Sequence, residues 1–188
     1  MLYVTDAGHA TRARIMRACT ELMADKAFSQ VSVTAICKQA GVSRTTFYNH
    51  FKDKFDIAHW HFDLVAHTFL YETGRTYSIY DANYLNSAEL RRHRDFYVPM
   101  FAYTGTLSLL DHSRQKREEE IVRTLTDYKH VEVDEELAFQ AHIYTVAETH
   151  AVKEWCCSGM QDSAAHLAAL LDDIVPRRLY GLLNQPSL

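Results

Sequence analysis

Apolar positions along the chain recur at helical spacing and seldom alternate, so the pattern predicts helices throughout. Residues 33–57, VTAICKQAGVSRTTFYNHFKDKFDI, begin with two short ones. Ser32 caps the first, over Val33 to Gln39, whose Ala35, Ile36 and Ala40 form an inward stripe. Gly41 takes the sharp turn, where a residue without a β-carbon is suited. Ser43 caps the second helix, and Phe47 and Phe51, four apart, anchor one face of it. Asp53, with Asp56 three residues on, resembles a capping box and opens a helix through Ile57, Trp60, Leu64 and Val65 to about Glu72. Residues 74–87, GRTYSIYDANYLNS, read as a polar, Tyr-rich break. Helices are then expected from about Ala88 to Tyr103, interrupted near Pro99, and from Thr106 to about Lys129. The HVEVD run at 130–134 is too short for a strand and reads as a loop. Two last helices run from Glu135 to about Ser158 and from Asp162 to about Leu183, the second kinked at Pro176.

Composition agrees with an all-α fold. The 188 residues include only six Gly and three Pro, and 47% are apolar, enough for a real core. No apolar run is long enough to cross a bilayer, and the start, MLYVTDAGHATR, lacks the apolar stretch of a signal peptide. Residues 1–9 read as a loose arm that can reach phosphates. Cys19, Cys37, Cys156 and Cys157 have neither zinc spacing nor a secreted framework, so the expected location is the cytoplasm. Cys19 and Cys37 are expected in the core. There is no phosphate-binding glycine loop, nucleophile elbow or convincing carboxylate pair, so no enzyme is expected. Among eleven histidines, His59 and His67 share a helix face with Asp63, but no stronger metal pattern appears, and no metal or cofactor is expected.

The net charge of −4 divides unevenly. Residues 1–54 hold eight Lys and Arg against four Asp and Glu, whereas residues 55–188 hold twelve against twenty. Positive charge is therefore concentrated on the end carrying the two short helices, where counterion release would favour DNA. A helix–turn–helix places its second helix in the major groove. On that helix Arg44 can read guanine through paired hydrogen bonds, and Thr45 and Thr46 can touch thymine methyls or phosphates. Asn49 adds a further donor and acceptor. Ser32 and Thr34 are phosphate candidates at the start of the preceding helix, and Ser43 joins the set as the cap of the next. The expected division is 1–54 as DNA-binding domain and 55–188 as a helical regulatory and dimerisation domain.

The run TTFYNHFKDKFDI is similar to the end of the DNA-binding domain of TetR-type transcriptional regulators, with Tyr48, His50, Phe51 and Lys54 at the family's positions. Ile15 to Phe28 resembles that family's first helix, and the likeness spans roughly residues 10–70; Ala27 departs from it, where the family more often has Gly. The resemblance implies that Tyr48 and Lys54 hold the DNA backbone and that His50 packs against it. It also implies a homodimer on a palindromic operator, formed through the last two long helices. These carry apolar residues on more than one side, and Ile143, Ala147, Leu167, Leu171 and Ile174 are the expected interface.

Family members usually hold a small-molecule effector in the C-terminal helices. Aromatic material for such a site is Phe96, Tyr97, Phe101, Tyr103, Phe139, Tyr144 and Trp155, with His93, His142, Thr145 and His150 as polar companions. The expected function is a ligand-responsive repressor. A second likeness, FYNHFKDKFDIAHWHF with Trp155, Gly159 and Met160 in WCCSGM, is to a branch that includes coactivators of dihydroxyacetone kinase operons. It leaves open an alternative, a coactivator-like helical module that works through a protein partner.

Overall fold

The computed structural model describes residues 7–184, which form ten α-helices with no strand among them. The head contains α1 (Ala7–Met23), α2 (Val33–Ala40) and α3 (Arg44–Tyr48), followed by the connecting α4 (Phe55–Thr68). The body adds α5 (Ile79–Arg92), α6 (Arg94–Ala102), α7 (Leu109–Arg123), α8 (Glu135–Cys157), α9 (Ala164–Asp173) and α10 (Arg177–Leu183).

Where side chains cap the backbone, sequence and structure agree. Ser32 and Ser43 accept from Ala35 N and Thr46 N at 3.2 and 2.9 Å, and Gly41 sits at φ 61°, ψ 41° between them. Asp53 Oδ1 accepts from the N–H groups of Phe55 and Asp56, while Asp56 Oδ2 reaches back to Lys52 N. The long α8 ends within a residue of its expected bounds, and residues 130–134 form a loop.

Elsewhere the boundaries move. Part of the expected 1–9 arm is helix, because α1 starts at Ala7; residues 1–6 lie outside the described residues. The same helix stops at Met23, and Phe28 follows on a separate 3-10 turn with its ring buried. The supposed break at 74–87 holds the first turns of α5, capped by Ser78 Oγ. Its polar look conceals the inward face: Asn83, Asn86 and Ser87 are buried together with Ile79 and Leu90. Small polar side chains let another helix come close, and α5 packs most extensively on α9. The expected helix from Ala88 to Tyr103 is divided at His93, with ψ of 32°, whereas Pro99 lies inside α6. The next one starts at Leu109 behind a Ser108 cap, and its last turn, Thr124–Tyr128, widens to a π-turn. Pro176 breaks the last helix outright, because its ring cannot continue α9 yet suits the entry to α10.

One continuous apolar cluster runs from the head into the body, from Ile15, Cys19, Ile36, Phe47 and Phe51 through Ile57 and Phe62 to Phe96, Phe101 and Trp155. A second, centred on Ile79, Ile121, Leu137 and Tyr144, closes the far end with α10. Between these layers Arg117, 1% exposed, is clamped to Glu148 at 2.7 and 3.0 Å and donates to Leu70 O. Tyr144 also donates to Glu148, so one buried ion pair ties α7, α8 and the 3-10 turn after α4 together.

Candidate nucleic-acid interface

The head displays its polar side chains because its apolar ones are fully used. Phe47 is 0% and Phe51 1% exposed, which fixes the rotation of α3 and turns Arg44, Thr45 and Tyr48 outward. Arg44 crosses from α3 to α2: its Nη1 donates to Thr34 Oγ1 at 2.8 Å and its Nη2 to the Tyr48 hydroxyl at 3.4 Å. The guanidinium lies 5.7 Å from the Tyr48 ring, a cation–π contact that further limits its freedom. Thr34, Arg44 and Tyr48 thus form one exposed cluster with several guanidinium donors still free. Ser32, Ser43, Thr45 and Asn49 are exposed around it, and Thr46 is half-buried with its hydroxyl 2.8 Å from that of Ser43. His50 is half-buried beyond the end of α3.

Lys54 departs from the expectation of a phosphate contact. Its ammonium donates to the carbonyls of Phe28, Ser29 and Val31 at 2.8, 3.0 and 2.8 Å, so all three N–H donors are used within the fold. The same ammonium lies over the Phe28 ring at 4.7 Å. Burial lowers its pKa despite the Cys19 thiol beside it. The neighbouring Lys52, not singled out in the sequence, is exposed and its ammonium has no partner among the described residues. Only the fold separates two lysines two positions apart into a bracket and a free cation. Cys19 and Cys37 are core residues, and burial pushes the Cys19 thiol up to about 12 and raises that of Cys37.

The other expected sites are rearranged. Phe101, Tyr144 and Trp155 are packed into the core, and Tyr103 is wedged between the rings of Phe28 and Phe55 at 5.7 and 5.3 Å. Phe139 is 63% exposed on the outside of α8. His142 pairs with Glu118 at 3.0 Å near the surface. Phe96, together with His93, borders a sizeable cleft. Leu167 and Leu171 are likewise not interface residues, because they are buried in the chain's own core, whereas Ile143, Ala147 and Ile174 are exposed. His59, Asp63 and His67 do not converge: His59 stacks on His112, His112 bonds Asp63 at 2.9 Å, and His67 turns to Tyr71. No metal-ligating group of three occurs among the described residues.

Trp155, Gly159 and Met160 have a structural explanation. Gly159 and Met160 take φ of 80° and 54°, Met160 N donates to Trp155 O at 2.8 Å, and the indole N–H donates to Asp162 O at 2.9 Å. The motif is the C-cap of α8, with Met160 buried beneath it.

A head of this geometry defines a helix–turn–helix DNA-binding regulator, and residues 15–59 match the profile of bacterial regulatory proteins of the tetR family. Over that stretch the chain is similar to the DNA-binding domain of TetR-family transcriptional regulators. Solved structures extend the likeness to the whole fold. The dihydroxyacetone kinase operon activator DhaS superposes with a TM-score of 0.64 at 20% identity, covering 92% of this chain and 98% of that one. FadR of Thermus thermophilus, a TetR-family repressor solved with lauroyl-CoA, gives 0.55 at 18% identity, covering 87% and 92%. AlkX of Dietzia sp. strain DQ12-45-1b, a TetR-family repressor, gives 0.52 at 17% identity, covering 90% and 98%. No curated protein sequence matches the chain. No helix among the described residues is long and apolar enough to cross a membrane.

Proposed function

We propose that the protein is a ligand-responsive repressor that binds a two-fold symmetric operator as a homodimer in the cytoplasm, with no catalytic activity of its own. The observation that carries the reading is the exposed Thr34–Arg44–Tyr48 cluster, preorganised on a helix whose own core is sealed. Arg44 reads a base, Tyr48 and Lys52 hold phosphates, and Thr34 steadies Arg44. Support for the dimer is exposed apolar surface on the last long helices: Phe139, Ile143 and Ala147 recur one turn apart on α8, and Leu170 on α9 and Ile174 at its C-cap are exposed as well. A face shared by two copies about a two-fold axis would present two recognition helices to two half-sites.

The whole-length likeness to an operon activator favours one second reading, in which the same head serves activation through a protein partner. Fluorescence anisotropy with the gene's own upstream DNA across a salt series separates the two. Direct regulation gives sequence-preferring binding with a steep salt slope, and Arg44→Ala then costs about 1–3 kcal/mol and relaxes one position per half-site. Binding with no preference over random DNA, at every salt concentration and on selected genomic fragments, would favour the partner-dependent reading.

A further inference from the structure

A cleft of about 1130 Å³ separates α1 of the head from α4 and α6 of the body, a volume slightly above that usual for small-molecule sites. Its floor is apolar, with Met16 from α1, Leu64 from α4 and Phe96 and Val98 from α6. At the bottom lies one polar side chain, His61, only 5% exposed. Its Nδ1 is 2.7 Å from the Tyr97 hydroxyl, and its Nε2 has no hydrogen-bond partner among the described residues. Burial and the neighbouring His93 pull its pKa down to about 3, so the ring is neutral near pH 7. In the tautomer protonated at Nε2, the phenol donates to Nδ1 and Nε2 faces a ligand as a donor. That nitrogen is not sealed off from the cleft, so a ligand oxygen can take the place of water as its partner.

The rim is cationic. Arg17, Arg92 and Arg94 border the cleft against Glu21 and Asp95. Glu21 already accepts from Gln39 at 2.6 Å, and Arg92 leans on Glu89. Arg17 and Arg94 have no carboxylate within ion-pair distance among the described residues. We propose that this cleft is the effector site and that it takes a small organic anion with an apolar body. The body lies on Met16, Leu64 and Phe96, the anionic group meets Arg17, and an oxygen accepts from His61. The inference rests on the ligand-responsive reading above and deepens it. One wall carries the DNA-binding head and the other belongs to the body, so a molecule filling the space fixes the angle between them. A ligand that fits one angle better shifts the population toward it, and with it the spacing of the recognition helices.

The test uses the full chain and three probes of equal length: decanoate, 1-decanol and decylamine. Isothermal titration and the emission of Trp60, which borders the cleft, report binding. Decanoate is expected to saturate at one per chain and to bind at least about tenfold more tightly than decylamine. Arg17→Gln should weaken decanoate about tenfold and leave decanol unchanged. Ala13→Trp, which fills the cleft from an exposed position on α1, should abolish binding without altering thermal stability. No saturable decanoate binding, equal affinity for the amine, or undiminished binding by Ala13→Trp would overturn the site. Anisotropy on the same preparations keeps the two readings apart. DNA preference without decanoate binding sinks the cleft alone, and decanoate binding that leaves DNA affinity unchanged removes its effector role. Decanoate binding without DNA preference sinks the operator reading.

Discussion

Replacing Lys54 with Met asks whether this lysine serves the fold or the DNA. Met keeps the packing against the Phe28 and Phe55 rings, 4.7 and 5.5 Å from the ammonium, and removes only the charge and its donors. Three carbonyls lose a charged partner, and a bond of that kind contributes about 1.5–3 kcal/mol when shielded from water. Here Ser29 O is exposed and the other two are partly so, and water takes over part of each bond. The expected loss is therefore about 2 kcal/mol, well below the sum. For a chain of 188 residues this lowers Tm by about 4–8 °C and still leaves the protein folded at room temperature. Thermal and urea unfolding followed by circular dichroism would measure it. In anisotropy, the dependence of log Kd on log salt should be unchanged for Lys54→Met, whereas Lys52→Ala should flatten it by about 0.9 and leave Tm alone. The opposite result, an unaltered Tm with a flatter salt slope for Lys54→Met, would refute the bracket and return Lys54 to the phosphates.

Three further outcomes are expected. Ile174→Glu, on the exposed end of α9, should halve the mass measured by light scattering with little change in fold, whereas Leu171→Ala, in the core, should lower stability by about 2–5 kcal/mol. An unchanged mass for Ile174→Glu would remove this face as the interface. Glu148→Gln leaves the Arg117 charge buried without a counter-charge and should cost about 3–5 kcal/mol in urea unfolding, and a loss below about 1 kcal/mol would contradict the buried-pair account. Burial and His93 hold the His61 pKa near 3 in the fold, against 6.5 for a free imidazole. The unfolded chain therefore binds that proton first, so the contribution is full above about pH 6.5 and lost as the pH falls toward 3. Burial and His112 lower His59 in the same direction. The fall in stability between about pH 7 and 5 should become shallower in His61→Leu, and an identical slope would exclude His61 as its source.

The helix–turn–helix was legible in the sequence because its signals are local. Ser32 and Ser43 cap backbone within three residues, Gly41 turns the chain at one position, and Phe47 and Phe51 set the exposed face of α3 by their spacing alone. The end of α8 was equally visible, since Gly159 and Met160 cap it locally. Helix α5 was hidden because its buried Asn83, Asn86 and Ser87 look like a solvated break until α9 covers them. Leu170 and Leu171 are chemically identical, yet one is 51% and the other 1% exposed, since only packing decides which side of a doubly apolar helix faces inward. Lys54 and the cleft follow the same rule. The carbonyls that hold the lysine lie more than twenty residues away in sequence, and the cleft walls come from residues 9–24, 60–64 and 92–99. The amino-acid sequence by itself determined the helices whose caps and apolar spacing are local, and with them the DNA-binding face. The tertiary structure decided which cation is free, which apolar face is left uncovered and where a cleft opens, because each depends on groups that only folding brings together.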